Sequence, residues 1–147
     1  MKEINVKITK LNPNAIIPTY GSDCAAGADL YACIEENVVI KKGETVFVPT
    51  GLSMEIPDGL AGLIYARSGL ACKKGLAPAN KVGVVDSDYR GEIIVALHNH
   101  SKENYELQNG ERIAQMVFTP YFKGIFKEEK LSSTKRGSGG FGSTGKK

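Results

Sequence analysis

The sequence predicts an all-β chain, a sandwich, barrel or jelly roll, folded as one domain with a single short helix. Three observations carry that reading. Short stretches with period-two alternation recur along the chain, turn residues separate them at regular spacing, and no stretch sustains a helical repeat. A length of 147 residues suits one domain, since a single core typically serves roughly 100–150 residues.

Taken in order, Ile4, Val6 and Ile8 share the face of a first strand, Val46 and Val48 that of a second, and Leu52, Met54 and Ile56 that of a third. Lys42-Gly43, Pro57-Asp58-Gly59 and Asn109-Gly110 supply the turns. Ser68 to Lys73 is the one helical candidate, with Ser68 placed to cap it and Gly75 to end it. Val82 to Val85, Ile93 to Leu97, Tyr105 to Leu107 and Ile113 to Phe118 read as further strands. After Pro120 the pattern decays, and five of the eleven residues from Gly137 onward are glycine. Such a segment cannot bury enough apolar surface to order itself. The expected organisation is a catalytic domain over 1–122, then a C-terminal strand or linker and a flexible glycine-rich arm over 123–147.

Composition narrows the function classes. Apolar and charged residues make up 41% and 24% of the chain, ordinary for a soluble globular protein. No apolar run approaches the ~20 residues that span a bilayer. The alternating N-terminus resembles neither a signal nor a transit peptide, so a cytoplasmic protein without membrane contact is expected. Cys24, Cys33 and Cys72 form no C-x-x-C pair, which speaks against a disulfide framework or a zinc site. Residues 123–147 hold six Lys and one Arg against two Glu, a net of +5, leaving −2 on residues 1–122. A basic tail alone suggests solubility or loose nucleic-acid contact. Arg136, set among glycines, points to local phosphate capture instead, with no stable nucleic-acid binding.

Two familiar patterns in the arm lack their context. Gly137 to Gly142 satisfies G-x-G-x-x-G, and Gly140 to Lys146 nearly matches a P-loop, with Lys147 where Ser or Thr belongs. Both need a preceding strand and a following helix. Their chemistry survives without the folds: glycine lets backbone N–H groups crowd a phosphate oxygen. His98 and His100 would share one side of a strand, but no third metal ligand lies close by, and they receive no role.

Asp86-Ser87-Asp88-Tyr89-Arg90-Gly91-Glu92 is more informative. A charged hairpin turn is the bland account. A turn needs no tyrosine between its charges, however, and the preceding strand stops on Asp86. Upstream, Arg67-Ser68-Gly69-Leu70-Ala71 sets an anion-binding arginine beside the expected helix start.

With these runs the chain resembles the trimeric dUTP pyrophosphatases (dUTPases) through five ordered motifs. They read Ala26-Gly27-Ala28-Asp29-Leu30, Ala66-Arg67-Ser68-Gly69-Leu70, Gly83 to Glu92, Gly110-Glu111-Arg112-Ile113-Ala114-Gln115 and Arg136 to Thr144. The resemblance implies a β-jelly roll (β-clip-like) and a homotrimer whose active sites are shared between subunits. It implies hydrolysis of dUTP to dUMP and pyrophosphate, limiting uracil in DNA and supplying dUMP for dTMP synthesis. By similarity the third motif is a β-hairpin that holds uracil, read by backbone groups around Gly83, Val84, Val85 and Ile94 and by the Asn80 side chain. Tyr89 lies against the sugar and excludes a 2′-hydroxyl. Asp86 contacts the 3′-hydroxyl and is the general base that activates water. Arg67, Ser68 and Gly69 bind phosphate from a neighbouring subunit, and Gln115 approaches the α-phosphate. Asp29 holds waters on a Mg²⁺ that the triphosphate chelates, while Arg112 is expected to buttress a nearby carboxylate. In the arm, Arg136 takes the γ-phosphate. Ser138, Gly139, Gly142, Ser143 and Thr144 add hydroxyl and backbone contacts, and Phe141 stacks over uracil. Two alternatives share the fold: a dCTP deaminase-like enzyme and a non-catalytic nucleotide-binding module.

Overall fold

The computed structural model describes residues 3–141. Its strands are β1 (Lys7–Lys10), β2 (Thr19–Tyr20), β3 (Ala28–Tyr31), β4 (Val38–Ile40), β5 (Thr45–Glu55) and β6 (Leu60–Tyr65). The helix α1 (Ser68–Lys74) follows, then β7 (Leu76–Pro78), β8 (Gly83–Val85), β9 (Glu92–Asn99), β10 (Tyr105–Leu107) and β11 (Arg112–Pro120). They form a four-stranded sheet ordered β1-β5-β9-β7, a five-stranded sheet ordered β2-β3-β11-β6-β8, and a β10-β4 ribbon. Pairing is antiparallel throughout the described residues. The described residues form a single-domain jelly roll with one short helix.

Alternation explains which residues meet between the sheets. Along β9, Ile93, Val95, Leu97 and Asn99 are buried while Ile94 is exposed. Ile93, Val95 and Leu97 pack with Val48, Leu52 and Met54 of β5 and, from the other sheet, Leu30, Ile64, Ile113 and Met116. β3, between β2 and β11, buries Ala28, Asp29 and Leu30 in succession. A strand covered on both faces gives no period-two signal, and so β3 does not announce itself in the sequence.

Three local readings are corrected. The runs around Val46–Val48 and Leu52–Ile56 belong to one long strand, β5, interrupted by a bulge. Pro49 pairs Ile94 and Ser53 pairs Glu92, so three β5 residues oppose Ile93 alone. Gly51, inside the bulge, has φ +68°, and a Cβ there would come within 2.9 Å of Ala15 and Cys33. Ser68 does not cap α1. The chain leaves β6 extended through Arg67 (φ −86°, ψ 129°), which takes the cap position without a side-chain bond and makes Ser68 the first helical residue. Gly75 ends the helix as expected, at φ 70°, donating to Ala71 and Leu70 carbonyls. Finally, Gly83 to Glu92 is not a paired hairpin. β8 pairs β6 in one sheet, and β9 pairs β5 and β7 in the other.

Candidate active site

Because β8 and β9 part into different sheets, an open cleft of about 230 Å³ lies between them. It is lined by Asn80, Gly83, Val84, Val85, Asp86, Tyr89, Glu92 and Ile94, among others. β8 is the edge strand of its sheet, so its outer backbone N–H and C=O groups face the cleft rather than another strand. β7 pairs β9 only from Leu97 to Asn99, which leaves the Ile94 stretch free on the same side. Val84 and Ile94 are 64% and 45% exposed. Gly83 permits this wall to close up, since its missing Cβ would stand 3.3 Å from the Asn80 amide nitrogen.

A turn, closed by the Tyr89 N–H donating to the Asp86 carbonyl at 3.2 Å, sets both side chains at the cleft. The Tyr89 hydroxyl donates to the Glu92 carbonyl at 2.9 Å. Its ring lies over Gly91, where a Cβ would run into it. Arg90 turns its guanidinium onto the Ser87 and Tyr89 carbonyls. Among the described residues, Asp86 therefore takes no ion pair and stays exposed. A carboxylate left free at a cleft can accept a proton from a bound water.

A second cluster forms where β3, β11 and the end of β6 lie side by side. Gln115 is the register partner of both Asp29 and Tyr65. Arg67 Nε donates to Asp29 Oδ1 at 2.7 Å, and Arg112 Nη1 to Asp29 Oδ2 at 3.2 Å. Gln115 Nε2 donates to the Ala66 carbonyl at 2.9 Å, and its side-chain oxygen fills the space a Cβ on Gly27 would need. Two guanidiniums against one carboxylate leave the trio at +1, with guanidinium N–H groups to spare for an anion. Ser68 and Gly69 stand exposed beside Arg67. The first, second and fourth sequence motifs thus converge on one spot.

The third motif lies elsewhere. Val85 pairs Gly62, so Asp86 continues past the Ala61 end of β6, whereas Arg67 follows the Tyr65 end. Six residues of strand put the two about 20 Å apart. Within one chain, the cleft and the cationic cluster lie at opposite ends of β6.

Residues 13–145 match the family model described as dUTPase. The chain belongs to the dUTPase family. Over 144 residues it is 51% identical to the deoxyuridine 5'-triphosphate nucleotidohydrolase of Nautilia profundicola, covering 97% of this chain and 100% of that one. The enzyme of the same name from Desulfitobacterium hafniense is 49% identical over 149 residues, 99% of each chain. Among solved structures, Staphylococcus bacteriophage 80alpha dUTPase with dUPNHPP superposes with a TM-score of 0.85 at 28% identity, covering 96% of this chain and 98% of that chain.

Within this dUTPase fold, Asn80, Gly83, Val84, Val85, Asp86, Tyr89 and Ile94 come together as one group, and Arg67, Ser68, Gly69, Gln115 and Asp29 as another. The described arm residues join neither. Arg136 donates from Nε to the Gly139 carbonyl at 2.8 Å, close to Ser138, and Phe141 is fully exposed at φ 49°. Gly142, Ser143 and Thr144 lie outside the described residues. His98 and His100 meet edge-to-face with centroids 4.3 Å apart, and Thr45 Oγ1 bonds His98 Nδ1. Burial and His98 hold the His100 pKa below its usual value. Sequence reading missed the polar ties behind the dUTPase cleft: Thr50 to the Ile93 carbonyl, Ser53 to the Arg90 carbonyl, and the Gly51 N–H to Glu92. Their one signal was Thr50-Gly51 and Ser53 breaking an apolar run.

Proposed function

We propose that this family member hydrolyses dUTP to dUMP and pyrophosphate, limiting uracil incorporation into DNA and supplying dUMP for dTMP synthesis. The observation that carries the reading is the cleft itself, open strand edges closed at one end by Asp86 and Tyr89. Uracil presents alternating donors and acceptors, as a strand does, and takes the place of the missing strand between β8 and the Ile94 stretch. Cytosine would leave those backbone groups mismatched, and a site built on hydrogen bonds rejects such analogues strongly. Backbone close to carbon 5 leaves no room for thymine's methyl, and the Tyr89 ring none for a 2′-hydroxyl.

Asp86 accepts a proton from water as the water oxygen bonds the α-phosphorus. The bond from that phosphorus to the α,β-bridging oxygen breaks, and its electron pair leaves with pyrophosphate. Arg67, Ser68, Gly69 and Gln115 of another subunit hold the phosphates in line. The separation of about 20 Å within one chain supports that sharing, as does the apolar surface past Pro120, where Phe122 and Phe126 are almost wholly exposed. The assembly is a homotrimer and the enzyme cytoplasmic. Arg136, Ser138, Gly139, Phe141, Gly142, Ser143 and Thr144 close over the substrate.

No group of three or more His, Cys, Asp or Glu among the described residues forms a metal cage. Asp29, with each oxygen engaged by one guanidinium and a further lone pair on each, suits water-mediated contact with a Mg²⁺ that the triphosphate carries. Bound there, the ion would neutralise phosphate charge.

The test is a pyrophosphate-release assay over the deoxynucleoside triphosphates and UTP. Wild-type protein should turn over dUTP alone, and Asp86→Asn should bind dUTP but lose about 10²–10⁴-fold in kcat. Ammonia release from dCTP, or full turnover by D86N, would overturn the mechanism.

A further inference from the structure

Glu92 belongs to the hinge between the cleft and the sheet behind it. One carboxylate oxygen, Oε1, accepts the Gly51 N–H at 2.7 Å. Its own carbonyl accepts the Tyr89 hydroxyl at 2.9 Å. Its side chain also lines the cleft. One residue therefore joins the β5 bulge to the Tyr89 ring at the cleft.

The bulge makes this joint specific. Three β5 residues opposite Ile93 remove the ordinary ladder there, and side chains replace it. Thr50 Oγ1 donates to the Ile93 carbonyl at 2.6 Å, and Ser53 Oγ to the Arg90 carbonyl at 2.7 Å. Residues 90, 92 and 93 are thus each held by β5, two of them through hydroxyls and Glu92 through its carboxylate. Gly51 cannot be exchanged for a residue that would bring its own anchor, since its φ is positive and its Cβ position is occupied on two sides. Tyr89 has no other hydrogen-bond partner among the described residues for its hydroxyl than the carbonyl this frame holds.

We infer that Glu92 is a specificity-positioning residue: by fixing the 90–93 backbone to the β5 bulge it sets where Tyr89 stands, and hence whether a 2′-hydroxyl fits. The inference rests on the proposed dUTP hydrolysis. Glu92 does not touch the reacting phosphorus in this scheme. Loosening it should therefore weaken sugar discrimination and substrate binding more than the water attack that Asp86 promotes. A carboxamide retains the Oε1 acceptor, so glutamine should serve where alanine fails.

Steady-state rates on dUTP and UTP for wild type, Glu92→Ala, Glu92→Gln and Tyr89→Phe test this. E92A should raise KM for dUTP about tenfold with kcat within about twofold, and lower the dUTP-to-UTP ratio of kcat/KM by about tenfold. E92Q should keep the wild-type ratio. Y89F should lower the ratio too, and adding E92A to it should have little further effect. An unchanged ratio in E92A, or an E92Q as impaired as E92A, would overturn the inference. Should E92A not fold, Glu92→Asp draws the carboxylate back by one methylene from the Gly51 N–H, and an unchanged ratio there overturns it equally. Failure of the wider reading looks different: wild type inactive on dUTP, or D86N fully active, whatever Glu92 does.

Discussion

Asp29 illustrates how much one side chain can organise. It is 8% exposed, and each oxygen meets a guanidinium from a different strand end. The pair with Arg67 is mostly enclosed, that with Arg112 half exposed, so the first dominates. Replacing Asp29 with Ala leaves two cations facing each other without their anion. Breaking a buried pair costs about 3–5 kcal/mol when solvent is excluded, and about 2–3 kcal/mol is expected here because Arg112 reaches water. Urea unfolding of D29A reads that loss. A stability equal to wild type would show that the carboxylate serves only ligand binding. From sequence, Asp29 and Arg67 each stood out, because each sits in a distinctive short motif. That they hold each other was not legible, since 38 residues separate them and alternation says nothing about partners.

At the scale of elements, the β10-β4 ribbon is secured from one side. Tyr105 donates to Glu111 Oε2 at 2.6 Å, while Glu111 Oε1 accepts the Gln108 N–H. Burial first, then the bond and charge of Glu111, push the Tyr105 hydroxyl up to about 12. Its value in the folded chain thus exceeds the unfolded value of about 10. The stabilisation is present in full below pH about 10 and is lost as pH rises through about 12. Tyr105→Phe should cost about 1 kcal/mol near neutrality, and its deficit against wild type should shrink between pH 10 and 12. Chemical unfolding across that range checks it; a deficit independent of pH would contradict the sign. Tyr105 to Leu107 was readable as a strand because β-formers alternate there. β2, β4 and β7, of two or three residues each, were too short to show any period.

The whole molecule poses the question of assembly. If one triphosphate meets both the cleft at one end of β6 and the cationic cluster at the other, as proposed, a second subunit supplies the cluster. The exposed Phe122, Ile125, Phe126 and Leu131 demand cover as well. Sedimentation should therefore give a trimer. Co-assembly of D86N chains with Arg67→Gln chains, each inactive alone, should restore activity at about a quarter of the sites in a random mixture. No recovery in proven mixed trimers would place both halves of the site within one chain.

The sequence by itself determined the class of fold and the chemistry on offer. Period-two burial needs only local order, and the five motifs carry their residue types wherever the chain takes them. Only the tertiary structure decided that the run from Gly83 to Glu92 opens into a cleft instead of closing as a hairpin. Strand partners are chosen by long-range packing: β6 claims β8, and the bulged β5 claims β9. Neither choice is written in the residues of the run itself, and the space left between the two strands is the cleft proposed to hold the substrate.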